Sequence, residues 1–213
     1  DTGWVGFLAR AGRRVVALDQ RGHGESDKPR DSAAYAASSM AEDARRLLDH
    51  LHLERADVMG YSMGARVAAF LALAHPGRVR SLVFGGLGIN MVRGLAGARP
   101  IAAALLAPSI ADVTNPTART FRAFADQTGG DRQALAACIL GSRVPVPAER
   151  VAQLVPPVLV VVGGDDPIGG SAEVLAALIP GAKAVTLPGR DHMKAVGDRG
   201  YQEAVRGFLV GRP

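Results

Sequence analysis

The chain has 213 residues, of which 48% are hydrophobic and 21% charged, and it carries a net charge of +5 and one cysteine, Cys138. These values fit one soluble globular domain and exclude a disordered or fibrous protein and an internal disulfide. The 22 arginines and three lysines are scattered along the chain, so we expect no nucleic-acid partner. No apolar run approaches the roughly 18 residues of a membrane helix and no leader is visible, which predicts a cytoplasmic protein.

Short β-branched runs alternate with helical patterns along the chain. The continuous apolar run at residues 158–162 is typical of a parallel strand buried on both faces. Strands that alternate with helices predict a doubly wound, mostly parallel α/β fold. The predicted strands cover residues 14–18, 57–59, 79–84, 158–162 and 183–187. The predicted helices between and after them are one capped by Ser32, one from Ser62 to His75, one capped by Ser171 and one over residues 198–209.

One segment, residues 85–150, departs from this alternation and predicts a small helical cap inserted into a core made of residues 1–84 and 151–213. Three short helices are expected there: one starting at Pro100, one capped by Asn115 and one capped by Asp131. A loose surface excursion is the alternative, although loops beyond about 15 residues usually carry function.

The run Gly60-Tyr61-Ser62-Met63-Gly64 follows a predicted strand directly and precedes a helix. A sharp strand-to-helix turn of this kind exposes the oxygen of a nucleophile above a sheet. We expect both glycines to be required by close approach of the backbone. The helix start aims its amides at charge that develops near Ser62, with the Met63 amide as one oxyanion donor.

A serine nucleophile needs a general base and an acid that orients the base. Asp165 and Asp166 follow the predicted strand 158–162, and His192 follows the strand 183–187. Both positions lie at the carboxyl edge of a parallel sheet, where ligands bind in such folds. Either aspartate could be the acid, whereas the neighbouring Asp191 is expected to be a solvated loop residue.

Several stretches of the sequence resemble the α/β-hydrolase family, and the resemblance covers nearly the whole chain. Asp19-Gln20-Arg21-Gly22-His23-Gly24-Glu25-Ser26 is similar to the turn after the family's fourth strand, and residues 157–163 are similar to its seventh. The family's Gly-x-x-Asp spacing selects Asp166, and Gly189-x-x-His192 matches its histidine loop. The resemblance implies hydrolysis through an acyl-enzyme, in which Ser62 attacks, His192 transfers the proton and Asp166 holds the imidazole. The cap then follows the family's sixth strand.

The remaining predictions concern the ligands and partners of this site. Tyr61 and Met193, which adjoin Ser62 and His192, are expected to contact the substrate, a small and largely apolar ester. No His/Asp/Glu cluster has ligand spacing, so no metal and no cofactor are expected. The other histidines, His23, His50, His52 and His75, are expected to be structural. A non-catalytic binding protein is the alternative in another class, and a carbon–carbon bond hydrolase, lactonase, thioesterase or haloperoxidase is the alternative within the fold.

The chain also departs from the family pattern at its start. In the resembled family a third strand ends in a His-Gly loop that supplies the second oxyanion donor, and no His-Gly precedes the helix expected over residues 2–11. We therefore expect a fragment that lacks the N-terminal strands of the family, with one oxyanion donor missing from the chain and two strand edges without their shared partner.

Overall fold

The computed structural model describes residues 2–94 and 97–211; residues 1, 95, 96, 212 and 213, which belong to the predicted domain ranges, lie outside it. Within the described ranges, four parallel strands form one sheet in chain order. This arrangement confirms the predicted α/β class with a parallel sheet flanked by helices. The strands are β1 Ala56–Tyr61, β2 Val79–Gly85, β3 Val158–Gly163 and β4 Lys183–Leu187.

The helices of the described residues lie before, between and after these strands. Several of them, α4, α8, α9 and α10, have only four or five residues. The α-helices are α1 Trp4–Arg10, α2 Ala37–His50, α3 Met63–Ala74, α4 Asn90–Arg93, α5 Ala98–Leu106, α6 Pro116–Thr128, α7 Arg132–Gly141, α8 Ala148–Val151, α9 Ala172–Ala176, α10 His192–Ala195 and α11 Arg199–Leu209.

Burial increases from the edge of the sheet to its centre. Every residue of β1 is half-buried, whereas all six residues of β3 are buried. The apolar composition of β3 follows from this position, because it lies between β2 and β4 and is covered on both faces. The parallel register places the carboxyl ends of the strands at one edge of the sheet, where Tyr61 pairs with Gly85 and Gly163 pairs with Leu187.

The chain divides into two compact units. The first unit holds the sheet and comprises Asp1–Ala17, Ala44–Arg93 and Pro145–Pro213; the second comprises Leu18–Asp43 and Gly94–Val144. The predicted cap, residues 85–150, corresponds to the second part of the second unit. Leu18–Asp43 clusters with it because α7 packs against a 3-10 helix at Ser32–Tyr35.

The second unit is built around α5, α6 and α7. Arg122 of α6 is buried and donates from Nη1 to the carbonyl oxygens of Ala104 and Ala107, at 3.0 and 2.6 Å, at the end of α5. Asn115 and Asp131 cap α6 and α7 as predicted. Helix α5 begins at Ala98, two residues before the predicted start at Pro100, which a first turn tolerates because its amides need no helical partner.

Two predictions near the start of the chain are wrong. Residues 14–18 pair with no strand in the described part of the chain, since an extended β-branched run becomes a strand only where a neighbouring strand accepts its hydrogen bonds. The cap predicted at Ser32 is instead Asp31, whose side chain accepts from the Ala33 amide at the start of the 3-10 helix, and α2 follows only at Ala37.

The packing of α1 and α11 closes one side of the first unit. Trp4 contacts Tyr201 edge-on with ring centroids 4.7 Å apart, and its indole Nε1 donates to the Val196 carbonyl at 2.7 Å. Val83, Leu159 and Val161 from the sheet are buried in the same cluster. Among residues 2–94 and 97–211, the structure has no helix with the length and apolar character needed to cross a membrane.

Candidate active site

Ser62 lies at the turn between β1 and α3 and adopts a backbone conformation that is rare outside glycine. Its φ is 54° and its ψ is −110°, and its amide donates to the Gly85 carbonyl at 2.7 Å. A non-glycine residue in such a region costs of order 1–3 kcal/mol and persists where the surroundings fix it. The ladder of β1 with β2 on one side and helix α3 on the other supply that fixation, so the turn has the geometry expected of a nucleophile elbow.

The two glycines of the Gly60-Tyr61-Ser62-Met63-Gly64 run differ in what the fold asks of them. A Cβ on Gly60 would lie 2.1 Å from the Gly64 carbonyl oxygen, so no larger residue fits there without moving the backbone. A Cβ on Gly64 would meet no heavy atom within 4 Å, and the expectation that close approach requires this glycine is wrong. Helix α3 lies close to β1 at Gly60, and the main chain of Gly64 therefore occupies the space that a side chain at residue 60 would need.

His192 joins Ser62 and Asp166 in one chain of hydrogen bonds. Its Nδ1 lies 2.7 Å from Asp166 Oδ2 and its Nε2 lies 3.1 Å from Ser62 Oγ. A carboxylate can only accept, so Nδ1 carries the ring proton and donates to Asp166, which leaves Nε2 to accept from the serine hydroxyl. The imidazole is only 7% exposed, and this burial strengthens the polar contacts around it.

Asp166, and not Asp165, faces the histidine. The side chain of Asp166 is fully buried, and its Oδ1 accepts from the amides of Ile168 and Gly169 at 2.8 and 2.9 Å. Asp165 is exposed and makes no contact with His192. Because three donors surround the Asp166 carboxylate, its orientation toward the imidazole is fixed on both oxygens, and the spacing rule of the resembled family agrees with this placement.

Asp191 has a role that the sequence did not reveal. It is the N-cap of α10, and its Oδ1 accepts from the amides of Met193 and Lys194 at 3.0 and 2.8 Å. These bonds, the one from Lys194 foremost, lower the pKa of the Asp191 carboxyl below its usual value. Asp191 thus starts the helical turn whose first residue is His192. The sequence does not indicate this cap, because helix α10 has only four residues and is too short to show a periodic apolar pattern.

A second residue that the sequence did not indicate is Asn90, the first residue of α4. Its Nδ2 donates to the carbonyl oxygens of Pro167 and Ile168, at 3.2 and 3.1 Å. The amides of Gly88 and Ile89 donate to the same loop, at Gly169 and Ser171. The segment after β2 therefore holds the loop that follows Asp166, and the only sequence signal is its place at the carboxyl edge of the sheet.

The other predicted site residues lie as follows. Met63 is the first residue of α3. Met193 is 40% exposed beside His192. The hydroxyl of Tyr61 donates to the His192 carbonyl at 2.6 Å. The assignment of Tyr61 and Met193 as substrate contacts and of Met63 as an oxyanion donor stays a prediction.

The remaining histidines lie at turns and helix ends, and no group of three metal-ligating side chains occurs in the described ranges. His50 ends α2, His75 caps the end of α3 and His52 has a φ of 53° two residues beyond α2. His23 Nδ1 lies 3.1 Å from the Arg21 carbonyl oxygen. Among residues 2–94 and 97–211, the His, Cys, Asp and Glu side chains form no cluster that could hold a metal ion.

Comparison with known proteins places this geometry in context. A family model described as the alpha/beta hydrolase fold matches residues 2–105, just under half of the chain. The chain is 39% identical over 90 residues to a 2-hydroxymuconate semialdehyde hydrolase from Pseudomonas putida, which is 42% of this chain and 32% of that protein. It is 42% identical over 87 residues to epoxide hydrolase B from Mycobacterium tuberculosis, covering 38% of this chain and 24% of that protein. The matches thus span less than a third of these relatives.

Similarity to a solved structure extends much further along the chain. A hydrolase from Pseudomonas aeruginosa PA01 superposes with a TM-score of 0.69 at 28% identity, over 90% of this chain and 78% of the other. The sheet, the turn at Ser62 and the loops that carry Asp166 and His192 therefore lie in a known architecture.

Proposed function

This chain belongs to the α/β-hydrolase fold superfamily, and from that premise we propose that it is a serine hydrolase that cleaves a small, largely apolar ester or related acyl compound. The observation that carries the proposal is the chain of hydrogen bonds from Asp166 through His192 to Ser62, at 2.7 and 3.1 Å. Such an arrangement turns an inert hydroxyl into a nucleophile at neutral pH.

The proposed reaction has two halves. Ser62 Oγ attacks the carbonyl carbon of the ester while His192 Nε2 takes the hydroxyl proton, and the negative charge moves to the carbonyl oxygen near the start of α3. The tetrahedral intermediate collapses, the alcohol leaves with the proton from Nε2, and the acyl group stays on Oγ. Water then attacks the acyl-enzyme with His192 as base, which releases the acid and restores Ser62.

Two further groups stabilise the charges of this reaction. Asp166 keeps the imidazole in the tautomer that accepts at Nε2 and stabilises the imidazolium once it forms, and the amides of Ile168 and Gly169 hold Asp166 in place. Met63 supplies the proposed oxyanion donor, since the first amide of α3 adds to the positive end of the helix dipole.

The apolar character of the substrate is proposed from the composition of the predicted cap, residues 85–150, which is rich in alanine, leucine and isoleucine and has few charged residues in its first half. Many of its apolar residues pack on one another, yet Leu106, Phe124 and Leu140 are 55%, 49% and 48% exposed. Side chains of this kind suit the acyl or alcohol portion of a small ester. The single cysteine, Cys138, is buried and forms no disulfide. A cytoplasmic location is part of the proposal.

The experiment that tests the proposal is labelling with a fluorophosphonate probe followed by peptide mapping. The probe is expected to modify Ser62, and labelling is expected to vanish in Ser62→Ala but persist in Ser38→Ala, which removes an exposed hydroxyl from α2. Absence of labelling in folded protein would contradict the proposal and favour the non-catalytic binding protein.

Carbon–carbon bond hydrolysis is the second candidate, and the similarity to the 2-hydroxymuconate semialdehyde hydrolase favours it. The same three side chains could serve both reactions, so labelling does not separate them. The two reactions can be separated by comparing turnover of a panel of short and long p-nitrophenyl esters and lactones with turnover of a 2-hydroxymuconate semialdehyde substrate. Faster cleavage of the latter would replace the ester with the carbon–carbon bond as the proposed target.

A further inference from the structure

The residue just before the nucleophile contacts the residue that serves as its base. The Tyr61 hydroxyl donates to the backbone carbonyl of His192 at 2.6 Å, and the two rings lie with centroids 5.3 Å apart at a tilt of 49°. Ser62, the next residue along the chain, lies 3.1 Å from His192 Nε2. The last residue of β1 and the residue after it therefore contact His192 at two points: Tyr61 at its main chain and Ser62 at its side chain.

Two glycines at the end of β2, Gly85 within the strand and Gly86 just after it, make room for this contact. A Cβ on Gly86, whose φ is 59°, would lie 2.4 Å from Tyr61 Cζ, and a Cβ on Gly85 would lie 2.8 Å from Tyr61 Cδ2. Any larger residue at either position would collide with the ring and push its hydroxyl away from the carbonyl. The path of the Tyr61 side chain is thus built into the main chain of the neighbouring strand end.

The chemistry of this hydrogen bond makes it persistent. Burial, reinforced by the nearby charges of Asp166 and Asp191, raises the pKa of the Tyr61 phenol well above its usual value. The hydroxyl therefore keeps its proton and remains a hydrogen-bond donor well above neutral pH. The bond is partly buried, and its loss leaves the His192 carbonyl without that partner.

The loop that carries His192 has two other fixed points. The imidazole is held by Asp166 through Nδ1, and the turn that begins at His192 is held by the Asp191 cap. Neither sets the distance between His192 and β1, because Asp166 follows β3 and Asp191 lies on the histidine loop itself. The Tyr61 bond is the direct tie from the nucleophile's strand to the base.

We propose that Tyr61 is a positioning residue for His192, which holds the imidazole within proton-transfer distance of Ser62 rather than contacting the substrate. The inference rests on the proposed serine hydrolase function. Because a misplacement of about 1 Å at a reacting group can cost a hundredfold in rate, removal of the Tyr61 hydroxyl is expected to lower kcat about tenfold to a hundredfold. KM is expected to stay unchanged, since the hydroxyl does not touch the substrate.

A second tyrosine in the same place supplies a matched control. Tyr201 of α11 is fully buried, its ring lies 6.2 Å from that of Tyr61, and a Cβ on Gly85 would meet its hydroxyl oxygen at 2.0 Å. Within the described part of the chain, that hydroxyl has no hydrogen-bond partner. Tyr61→Phe and Tyr201→Phe thus remove the same atom from neighbouring rings, one half-buried and one buried, and only the first removes a bond to His192.

The experiment compares these two variants with the unmodified chain by two readouts. The first is the rate of fluorophosphonate labelling of Ser62, together with kcat and KM for a p-nitrophenyl ester. The second, which needs no turnover, is the downfield proton signal of His192 Nδ1–H in the ¹H NMR spectrum. Tyr61→Phe is expected to slow labelling tenfold to a hundredfold and to broaden the signal, while Tyr201→Phe stays within twofold and keeps it.

The other outcomes are equally informative. Equal rates and signals in all three proteins, or equal losses in both variants, would overturn the positioning role. If the unmodified chain is not labelled at all, the proposed function fails, and loss of the Nδ1–H signal in Tyr61→Phe alone still supports the tether. If Tyr61→Phe does not fold, the unmodified chain decides: a slowly exchanging Tyr61 hydroxyl proton with a nuclear Overhauser contact to His192 supports the tether, and its absence overturns it.

Discussion

Strands β1 and β3 have six residues each, run parallel, and end at the same edge of the sheet next to residues of the candidate site, yet the fold supports them differently. Strand β3 is buried throughout and pairs on both sides, whereas β1 is half-buried throughout and pairs only with β2 in the described residues. Ser62, the proposed nucleophile, therefore directly follows the less supported strand. Its position depends on local devices: the glycine at 60, the amide of Ser62 on Gly85 and the hydroxyl of Tyr61 on His192.

The turn after β3, by contrast, is held by a network of loops. Asp166 accepts from two amides of its own loop, and that loop is bonded to the segment after β2 through Asn90. One residue of the candidate site, Ser62, is thus held in a strained backbone conformation, whereas another, Asp166, is held by several ordinary hydrogen bonds. Variants at the two strand ends are expected to fail in different ways.

The largest effect is expected from a substitution of Asp166, which follows the buried strand β3. Asp166→Asn keeps the shape of the side chain but cannot fix the imidazole tautomer, and loss of the acid from such an arrangement lowers turnover about 10⁴-fold. Asp165→Asn, one residue earlier and exposed, is expected to stay within about twofold. The measurement is kcat/KM for a p-nitrophenyl ester, and a larger loss at Asp165 would contradict the assignment of the acid.

The next largest effect is expected from a substitution of Gly60, near the end of β1. Gly60→Ala places a methyl group 2.1 Å from the Gly64 carbonyl oxygen, where only backbone can move, and is expected to destabilise the protein by about 3 kcal/mol or more. Gly207→Ala, at an exposed position of helix α11 with nothing within 4 Å, is expected to stabilise it by about 0.8–1 kcal/mol. Urea unfolding gives both values. A Gly60 variant as stable as the parent would show that the close approach is not needed.

The smallest effects are expected from valine-to-alanine substitutions within the two strands, which compare how strongly each strand is buried. Val160→Ala in β3 removes a fully buried side chain and is expected to cost about 2–3 kcal/mol, from lost transfer free energy and the cavity left behind. Val58→Ala in β1 removes a half-buried one and is expected to cost about 1 kcal/mol. Equal losses of unfolding free energy in the two variants would mean that β1 is as well supported as β3.

Much of the fold could be predicted because burial leaves a mark on composition. The runs that form β2, β3 and β4 can be located to within a residue from their β-branched and apolar residues. The signal is clearest for β3, which is covered on both faces and apolar throughout. Residues 14–18 show the limit of this reasoning. Their β-branched pattern indicates an extended chain, but a strand exists only where a second one pairs with it, and no residue pattern within the run records its partner.

The candidate site divides in the same way. Ser62 and His192 could be predicted from strand ends and chain order, and the structure brings them together with Asp166. What the sequence could not show are contacts between residues far apart along the chain, such as the bond of Tyr61 to a carbonyl 131 residues later and that of Asn90 to a loop 77 residues later. These bonds end on backbone atoms, which every residue has, and so leave no signature in side-chain types.

The positive φ of Ser62 has a consequence for how this chain can evolve. Glycine occupies such a conformation without strain, so a mutation of the nucleophile to glycine would remove the reactive oxygen and relax the backbone in one step. Selection for stability alone would favour glycine at this position, and the proposed hydrolysis would be the reason for a serine there. A descendant relieved of hydrolysis would be expected to drift toward glycine at this position first, while the rest of the sheet stayed recognisable.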